Sequence, residues 1–291
     1  MMGKWRYFLL IVFIVFMGIV IKGYSLYQAV TANAIEHWQT SDENNQQIID
    51  HHLWQEILSN YLHTDKTGAK VFDYQNVTVQ DKQKLTRYLV ALQKLSPISY
   101  RKDEQLAYWV NLYNALTVDI VLKHYPIDSI KDIGDGFTGP WNIELATIHG
   151  KPLTLNNIEH GILRPIWQDN RIHYVINCAS VGCPDLSQKP FSSVNVDEQL
   201  NRAASNFINQ KKGVNLANNT LTISSIYNWF SADFGDTNKA IIAHIKSFAL
   251  PELQQQLTKF SSDVKFDYNW KLNAPESGLQ INTKDPMMNE Q

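Results

Sequence analysis

Apolar side chains recur at every third or fourth position in "HHLWQEILSNYLH". There Leu53, Trp54, Ile57, Leu58 and Leu62 predict a helix over 51–63. The period returns from about Val79, with Leu85, Tyr88, Leu89, Leu92 and Leu95, and stops at Pro97. It is clearest in "RKDEQLAYWVNLYNALTVDIVLKHYP" (101–126), which Pro126 closes. Helices are also predicted over 196–210, in "DTNKAIIAHIKSFA", and from Asn156 to just before Pro165. A two-residue alternation marks hairpins turning at His149-Gly150 and at Asn218-Asn219. It also marks a buried strand over 171–178 and a late strand in "VKFDYNWKLN". Helices come first, then strands mixed with helices. The expected class is α+β, a helical N-terminal half packed on a mixed or antiparallel sheet. No linker-like composition interrupts the middle of the chain. The division expected is an export segment (1–34), a polar stalk or loop (35–50), one domain (51–273) and a polar tail (274–291).

The first residues follow another rule. Lys4 and Arg6 precede an uninterrupted apolar run from Tyr7 to Ile21, and Lys22 ends it. This is the layout of an export signal, and with its flanks it is just long enough to span a bilayer. The positive residues favour a cytoplasmic N-terminus. The expectation is an inner-membrane anchor, with the domain on the periplasmic or extracellular side. The alternative is secretion after cleavage near Ala34. No lipid-attachment cysteine follows the run, which excludes a lipoprotein. The net charge of −2 gives no support to a nucleic-acid partner. With 44% hydrophobic residues, the chain can build a core without disulfides or metals.

The only two cysteines, Cys178 and Cys183, stand in "RIHYVINCASVGCPDL". Three readings are open. An oxidising compartment permits a disulfide, though one closing a short loop constrains the unfolded chain little. His160, His173, Cys178 and Cys183 contain the donors of a tetrahedral metal set, at loose spacing. The third reading is a nucleophile, Cys178, with open backbone N–H groups around Ala179, Ser180 and Gly182 for a developing oxyanion. On a regular strand His173 and Cys178 point to opposite faces, so His173 reads as a packed histidine. His160, on the short helix just before, is the better base. Its neighbour Glu159 lies about 100° away around a regular helix. Glu159 therefore pairs with Arg164, or reaches the site only if that helix is irregular. Asn111 and Asn114, three apart on an apolar helix, either pin a loop or offer amides to a ligand. Arg164 is either a fork for a substrate carboxylate or half of an internal ion pair. Asn111, Asn114, Arg164 and Ser180 are the candidate substrate contacts. No cofactor motif is present: "DIGDGFTG" follows a helix rather than a strand, unlike a phosphate loop.

Taken together, "AYWVNLYNALTV", "LTLNNIEHGILR", "RIHYVINCASVGCPDL", "LTISSIYNWFSADFG" and "VKFDYNWKLN" resemble the successive motifs of the domain of unknown function 547 family (DUF547), over about residues 50–273. That family is similar, more distantly, to papain-like and transglutaminase-like thiol hydrolases. The resemblance implies Cys178 as nucleophile, His160 as base and Glu159 as acidic third member. Because the histidine precedes the cysteine, it also implies a rearranged papain-like core. The function expected is a thiol-dependent hydrolase or transferase acting on an amide or thioester of a small-molecule or peptide substrate outside the cytoplasm. The alternative is a non-catalytic envelope binding module, in which Cys178 and Cys183 are structural thiols or a disulfide.

Overall fold

The computed structural model describes residues 32–134, 139–261 and 263–275. The apolar run Tyr7–Ile21, part of the glycine-rich loop and the end of the tail lie outside the described residues. Among the described residues no helix is long and apolar enough to cross a membrane.

The chain is α+β. Helix α1 (His52–Tyr61) turns Trp54, Ile57, Leu58 and Tyr61 inward. Helix α2 (Val79–Gln93) does the same with Leu85, Tyr88, Leu89 and Leu92, and the Thr78 hydroxyl caps it by accepting from the Asp81 N–H. Helix α3 (Lys102–His124) is buried from Glu104 to Leu122 at every position but Asp119, as befits a helix surrounded by other elements. Its buried polar groups are spent on backbone. The Glu104 carboxylate accepts from the Ile49 N–H at 2.7 Å and the Ser193 N–H at 2.8 Å. Asn111 brackets Phe191, donating to its carbonyl at 2.8 Å and accepting from its N–H at 3.0 Å. Asn114 donates to the Val175 carbonyl and accepts from the Asn177 N–H, both at 2.8 Å.

The strands form three small sheets rather than one. β1 (Leu62–Thr64) pairs antiparallel with β2 (Lys70–Phe72), and β3 (Ala146–Ile148) with β4 (Lys151–Leu153). A mixed three-stranded sheet follows: β5 (Val214–Ala217) antiparallel to β6 (Thr220–Ser224), which runs parallel to β7 (Val264–Asp267). Both expected hairpin turns are present. His149 and Gly150 have φ of 51° and 69°, and Asn218 and Asn219 have 48° and 57°, the left-handed pairs that match strand twist.

Three expectations are corrected. Residues 171–178 are not a strand: Asn170–Tyr174 is a 3-10 turn and irregular backbone follows. The Asp169 carboxylate caps that turn at the Arg171 N–H, and Asn114 takes the hydrogen bonds of Val175 and Asn177 that a neighbouring strand would otherwise supply. The helix from Asn156 does not stop before Pro165. A π-helical stretch (Asn157–Leu163) runs into α4 (Arg164–Trp167), and the Gly161 carbonyl, four residues before Pro165, accepts from the Ile35 N–H instead. The polar segment 35–50 lies against the core. Trp38 is fully buried, its ring 5.1 Å from that of Trp109. The Ile35 N–H donates to the Gly161 carbonyl at 2.8 Å, and a Cβ at Gly161 would meet Ile35 Cδ1 at 2.6 Å.

Helices α5 (Val196–Ile208), α6 (Ile226–Trp229), α7 (Asn238–Phe248) and α8 (Pro251–Lys259), of which α6 and α8 were not foreseen, complete the fold. Two apolar clusters result. The larger surrounds α3; the smaller gathers Tyr174, Phe207, Ile223, Tyr227, Phe234, Ile241 and Ile245. Half-buried Trp141 and Trp270 pack on the first, and Trp229 and Tyr268 on the second. This aromatic seam adjoins the cysteine loop.

Replacing Asn114 by Ala strands the Val175 carbonyl and the Asn177 N–H in the core. At about 1–3 kcal/mol for each unsatisfied buried group, urea denaturation is expected to show a loss of about 3 kcal/mol. Unchanged stability would mean that the amide pins nothing.

Candidate functional site

Cys178 and Cys183 are joined as a disulfide, with their Cα atoms 6.1 Å apart. Cys183 is buried and Cys178 half-buried. The Cys178 N–H donates to Cys183 Sγ at 2.8 Å, and the Tyr268 hydroxyl stands 3.0 Å from Cys178 Sγ. The loop has a frame of its own. The Val181 and Gly182 N–H groups donate to the Lys271 and Asn269 carbonyls at 2.8 Å, and the Asn273 N–H donates to the Ala179 carbonyl at 3.0 Å. Asn177 closes it from within, accepting from the Ala179 N–H at 2.8 Å and donating to the Pro184 carbonyl at 2.6 Å. A Cβ at Gly182 would lie 2.8 Å from the Asn269 nitrogen, so only glycine permits this approach. Ala179 is held at φ 57°, a left-handed conformation that costs an alanine energy and persists because both neighbours are pinned. The ring closed by the disulfide is so short that its constraint on the unfolded chain is worth only roughly 2 kcal/mol.

The π-helical stretch carries the second group of side chains. Its wider winding, with bonds to the fifth residue, is the irregularity that lets Glu159 and His160 share surroundings. His160 Nδ1 lies 2.9 Å from Arg164 Nη1 and 3.8 Å from Glu159 Oε1. A guanidinium has only donors, so Nδ1 must accept, and the imidazole proton sits on Nε2. Burial, then the charges of Arg164 and His173, hold His160 down at about 3, against the pull of Asp233. Arg164 Nε donates to Asp233 Oδ2 at 2.6 Å, and His173 Nε2 lies 2.6 Å from the same oxygen. Burial would raise the Asp233 carboxyl, but these hydrogen bonds outweigh it and hold the group ionised. Phe230 covers the group, 4.6 Å from the Arg164 guanidinium and 4.6 Å from the His173 ring. Glu159 accepts from the Tyr113 hydroxyl at 3.1 Å; burial raises it to about 7, against the pull of Arg164 and that hydrogen bond.

The fold thus brings Glu159, His160 and Arg164 together and gives Cys178 to Cys183 and Tyr268. Among the described residues no hydrogen bond joins Cys178 to His160. Burial, and then the Glu159 charge, raise the Tyr268 hydroxyl well above its ordinary value. Ser180 Oγ bonds the Cys178 carbonyl at 3.4 Å and also faces the Tyr268 hydroxyl. Asn111 and Asn114 pin loops, as the fold showed. His173, read as a packed strand residue, is packed but not on a strand; burial lowers its pKa, and its ring is held by the half-buried Asp233 carboxylate. Sequence reasoning missed Asp233, Phe230 and Tyr268. They lie in "LTISSIYNWFSADFG" and "VKFDYNWKLN", whose pattern marks elements but assigns no partners. Among the described residues no cluster of three or more histidine, cysteine or acidic side chains is arranged to hold a metal ion.

The seam rings sit close to Cys178. Tyr268 is 4.8 Å from Trp229 and 4.6 Å from Trp270; Trp229 and Trp270 are 5.5 Å apart, and Trp141 is 5.8 Å from Trp270. The Lys131 ammonium stands 5.0 Å over Trp270. A separate hollow of about 620 Å³ opens between α5, the loop around Asp185–Phe191 and Thr67–Lys70; neither cysteine nor any of the buried ionisable group lines it.

Residues 97–208 match the model of a family of proteins of unknown function, DUF547. That stretch contains α3, the π-helical segment and the cysteine loop. It leaves out Asp233 and Tyr268, which complete both groups. No characterised protein and no solved structure matches the chain.

The buried ionisable groups set opposed pH dependences. His160, and His51 and His244 at about 4, are held below the unfolded value of 6.5, so their stabilisation is lost as pH falls through that range. Glu159, raised from 4.5 to about 7, binds its proton more tightly in the folded chain, so stability falls as pH rises through 7. Stability is expected to peak near neutrality and to fall by about 1 kcal/mol between pH 6.5 and 8 through Glu159 alone. In Glu159→Gln that alkaline decline should vanish while the acid side is kept. Denaturation curves at four pH values read this directly; an identical decline in the variant would exclude Glu159 as its source.

Proposed function

We propose that the chain is an extracytoplasmic binding module that holds its ligand against the aromatic seam, whose walls are fixed by the backbone bonds between the cysteine loop and residues 269–273. The observation that carries this reading is that both partners of the thiol mechanism are engaged elsewhere. The Cys178 sulfur is bonded to Cys183, and His160 Nδ1 accepts from Arg164. A general base facing a thiol needs a free ring lone pair, and the Arg164 contact leaves Nε2 carrying a proton. In contrast, half-buried tryptophans and a tyrosine where two cores meet are what recognition sites use: large rigid faces with a polar edge. A sugar ring, with one apolar face and hydroxyls around it, fits such a surface, and Lys131 and Tyr268, both against Trp270, supply polar groups. A disulfide also suits an exported chain, which supports the reading of Lys4 to Lys22 as an anchor or signal.

A second reading is a thiol hydrolase or transferase of papain-like or transglutaminase-like kind, confined to the reduced chain. What favours it is the half-exposed Cys178 beside the Tyr268 hydroxyl. Two arms of one experiment separate the readings. Tryptophan fluorescence is titrated with N-acetylhexosamine oligosaccharides and with short aromatic peptides, using the oxidised protein and Trp270→Ala. The reduced protein is alkylated with iodoacetamide from pH 5 to 9. The binding reading expects a saturable oligosaccharide response, at least tenfold weaker in Trp270→Ala, and Cys178 labelling with an ordinary thiol profile. No response to any oligosaccharide, together with labelling well below pH 8 that His160→Ala abolishes, would replace binding by catalysis.

A further inference from the structure

The two sulfurs are not equivalent, and their loop does not depend on the bond between them. Cys178 is half-buried and Cys183 is 3% exposed, so a solute thiol reaches the first and not the second. Each sulfur has a hydrogen-bond donor of its own: the Tyr268 hydroxyl for Cys178, and the Cys178 N–H for Cys183. Donors of this kind stabilise a departing thiolate. The loop is held by the Val181, Gly182 and Asn273 backbone bonds and by Asn177, none of which involves sulfur. Reduction therefore leaves the two thiols facing each other in the same frame, and the bond can open and close without unfolding the chain.

We infer that the Cys178–Cys183 pair is a thiol–disulfide exchange centre that accepts electrons from an extracytoplasmic dithiol, with Cys178 as the sulfur attacked. A substrate thiolate bonds to Cys178 Sγ, and the Cys178–Cys183 bond breaks. Cys183 leaves as a thiolate, accepts the Cys178 N–H hydrogen bond and takes a proton from solvent. The second substrate thiol, deprotonated, attacks the substrate sulfur of this mixed disulfide. Cys178 leaves as a thiolate facing the Tyr268 hydroxyl and is protonated in turn. Two electrons and two protons have passed from the dithiol to the chain: the substrate gains one disulfide and the protein two thiols. The inference does not depend on ligand binding at the seam, and aromatic walls beside the reactive sulfur are compatible with a peptide dithiol.

The test uses the oxidised full-length protein and a peptide carrying two reduced cysteines, with acid quench, alkylation and intact mass. The peptide is expected to lose two mass units while the protein gains two alkyl groups, at least tenfold faster than with the same protein unfolded in urea. Tyr268→Phe should slow exchange several-fold. With an oxidised peptide, reduced Cys183→Ser should trap a mixed disulfide on Cys178, and reduced Cys178→Ser should trap at least tenfold less. Circular dichroism melts keep folding failure apart from loss of exchange. Two free thiols in protein isolated without reductant, exchange no faster than in urea, or equal trapping by the two variants would each overturn the inference.

Discussion

Residues 177–184 are fastened to segment 269–273, and the rest of the candidate site depends on that fastening. Three backbone hydrogen bonds join the two segments, and Asn177 and Asn114 anchor the loop's base from inside the core. Gly182 makes the approach sterically possible, and Ala179 accepts a left-handed backbone to complete it. Segment 269–273 continues from β7 through Tyr268, so the ladder also delivers Tyr268 to the sulfur and Trp270 to the seam. One set of backbone contacts therefore fixes the disulfide, its hydroxyl neighbour and the aromatic face together.

A charge network centred on Arg164 forms the second group of side chains. Arg164, Asp233 and His173 satisfy one another, and the guanidinium that remains dictates the His160 tautomer. Burying such ions costs several kcal/mol each unless the pairing is good. Here two donors converge on a single Asp233 oxygen beneath a phenyl ring. The network spends the imidazole that the family resemblance would make a base. Burial holds the Glu159 carboxyl at about 7, and its hydrogen bond comes from Tyr113 rather than from a nucleophile.

Much of the architecture was legible in the chain. α1, α2, α3, α5 and α7 follow from apolar spacing, and the two hairpins follow from His149-Gly150 and Asn218-Asn219, because these signals are local. What failed was non-local. "RIHYVINC" alternates like a strand, yet Asn114, some 60 residues earlier, supplies the bonds that keep it irregular. Pro165 reads as a stop, but the Ile35 N–H, from far earlier in the chain, takes the Gly161 carbonyl four residues before it. The candidate residues Glu159, His160, Arg164 and Cys178 all lie in one region, but their partners were hidden. Asp233 and Tyr268 come from the far end of the sequence, and no spacing rule reveals which carboxylate a buried arginine will meet. The same limit explains why the disulfide, metal and nucleophile readings of Cys178 and Cys183 stood side by side until the fold was known.

The central claim is that Arg164 fixes the state of His160 and so withholds it from the sulfur. Nitrogen NMR of the histidine-labelled, oxidised protein reads this at the atom concerned. The account predicts a His160 ring that stays neutral from pH 8 to pH 5, with its proton on Nε2 and Nδ1 accepting. A His160 ring that is cationic near pH 6.5, or that carries its proton on Nδ1, would contradict it.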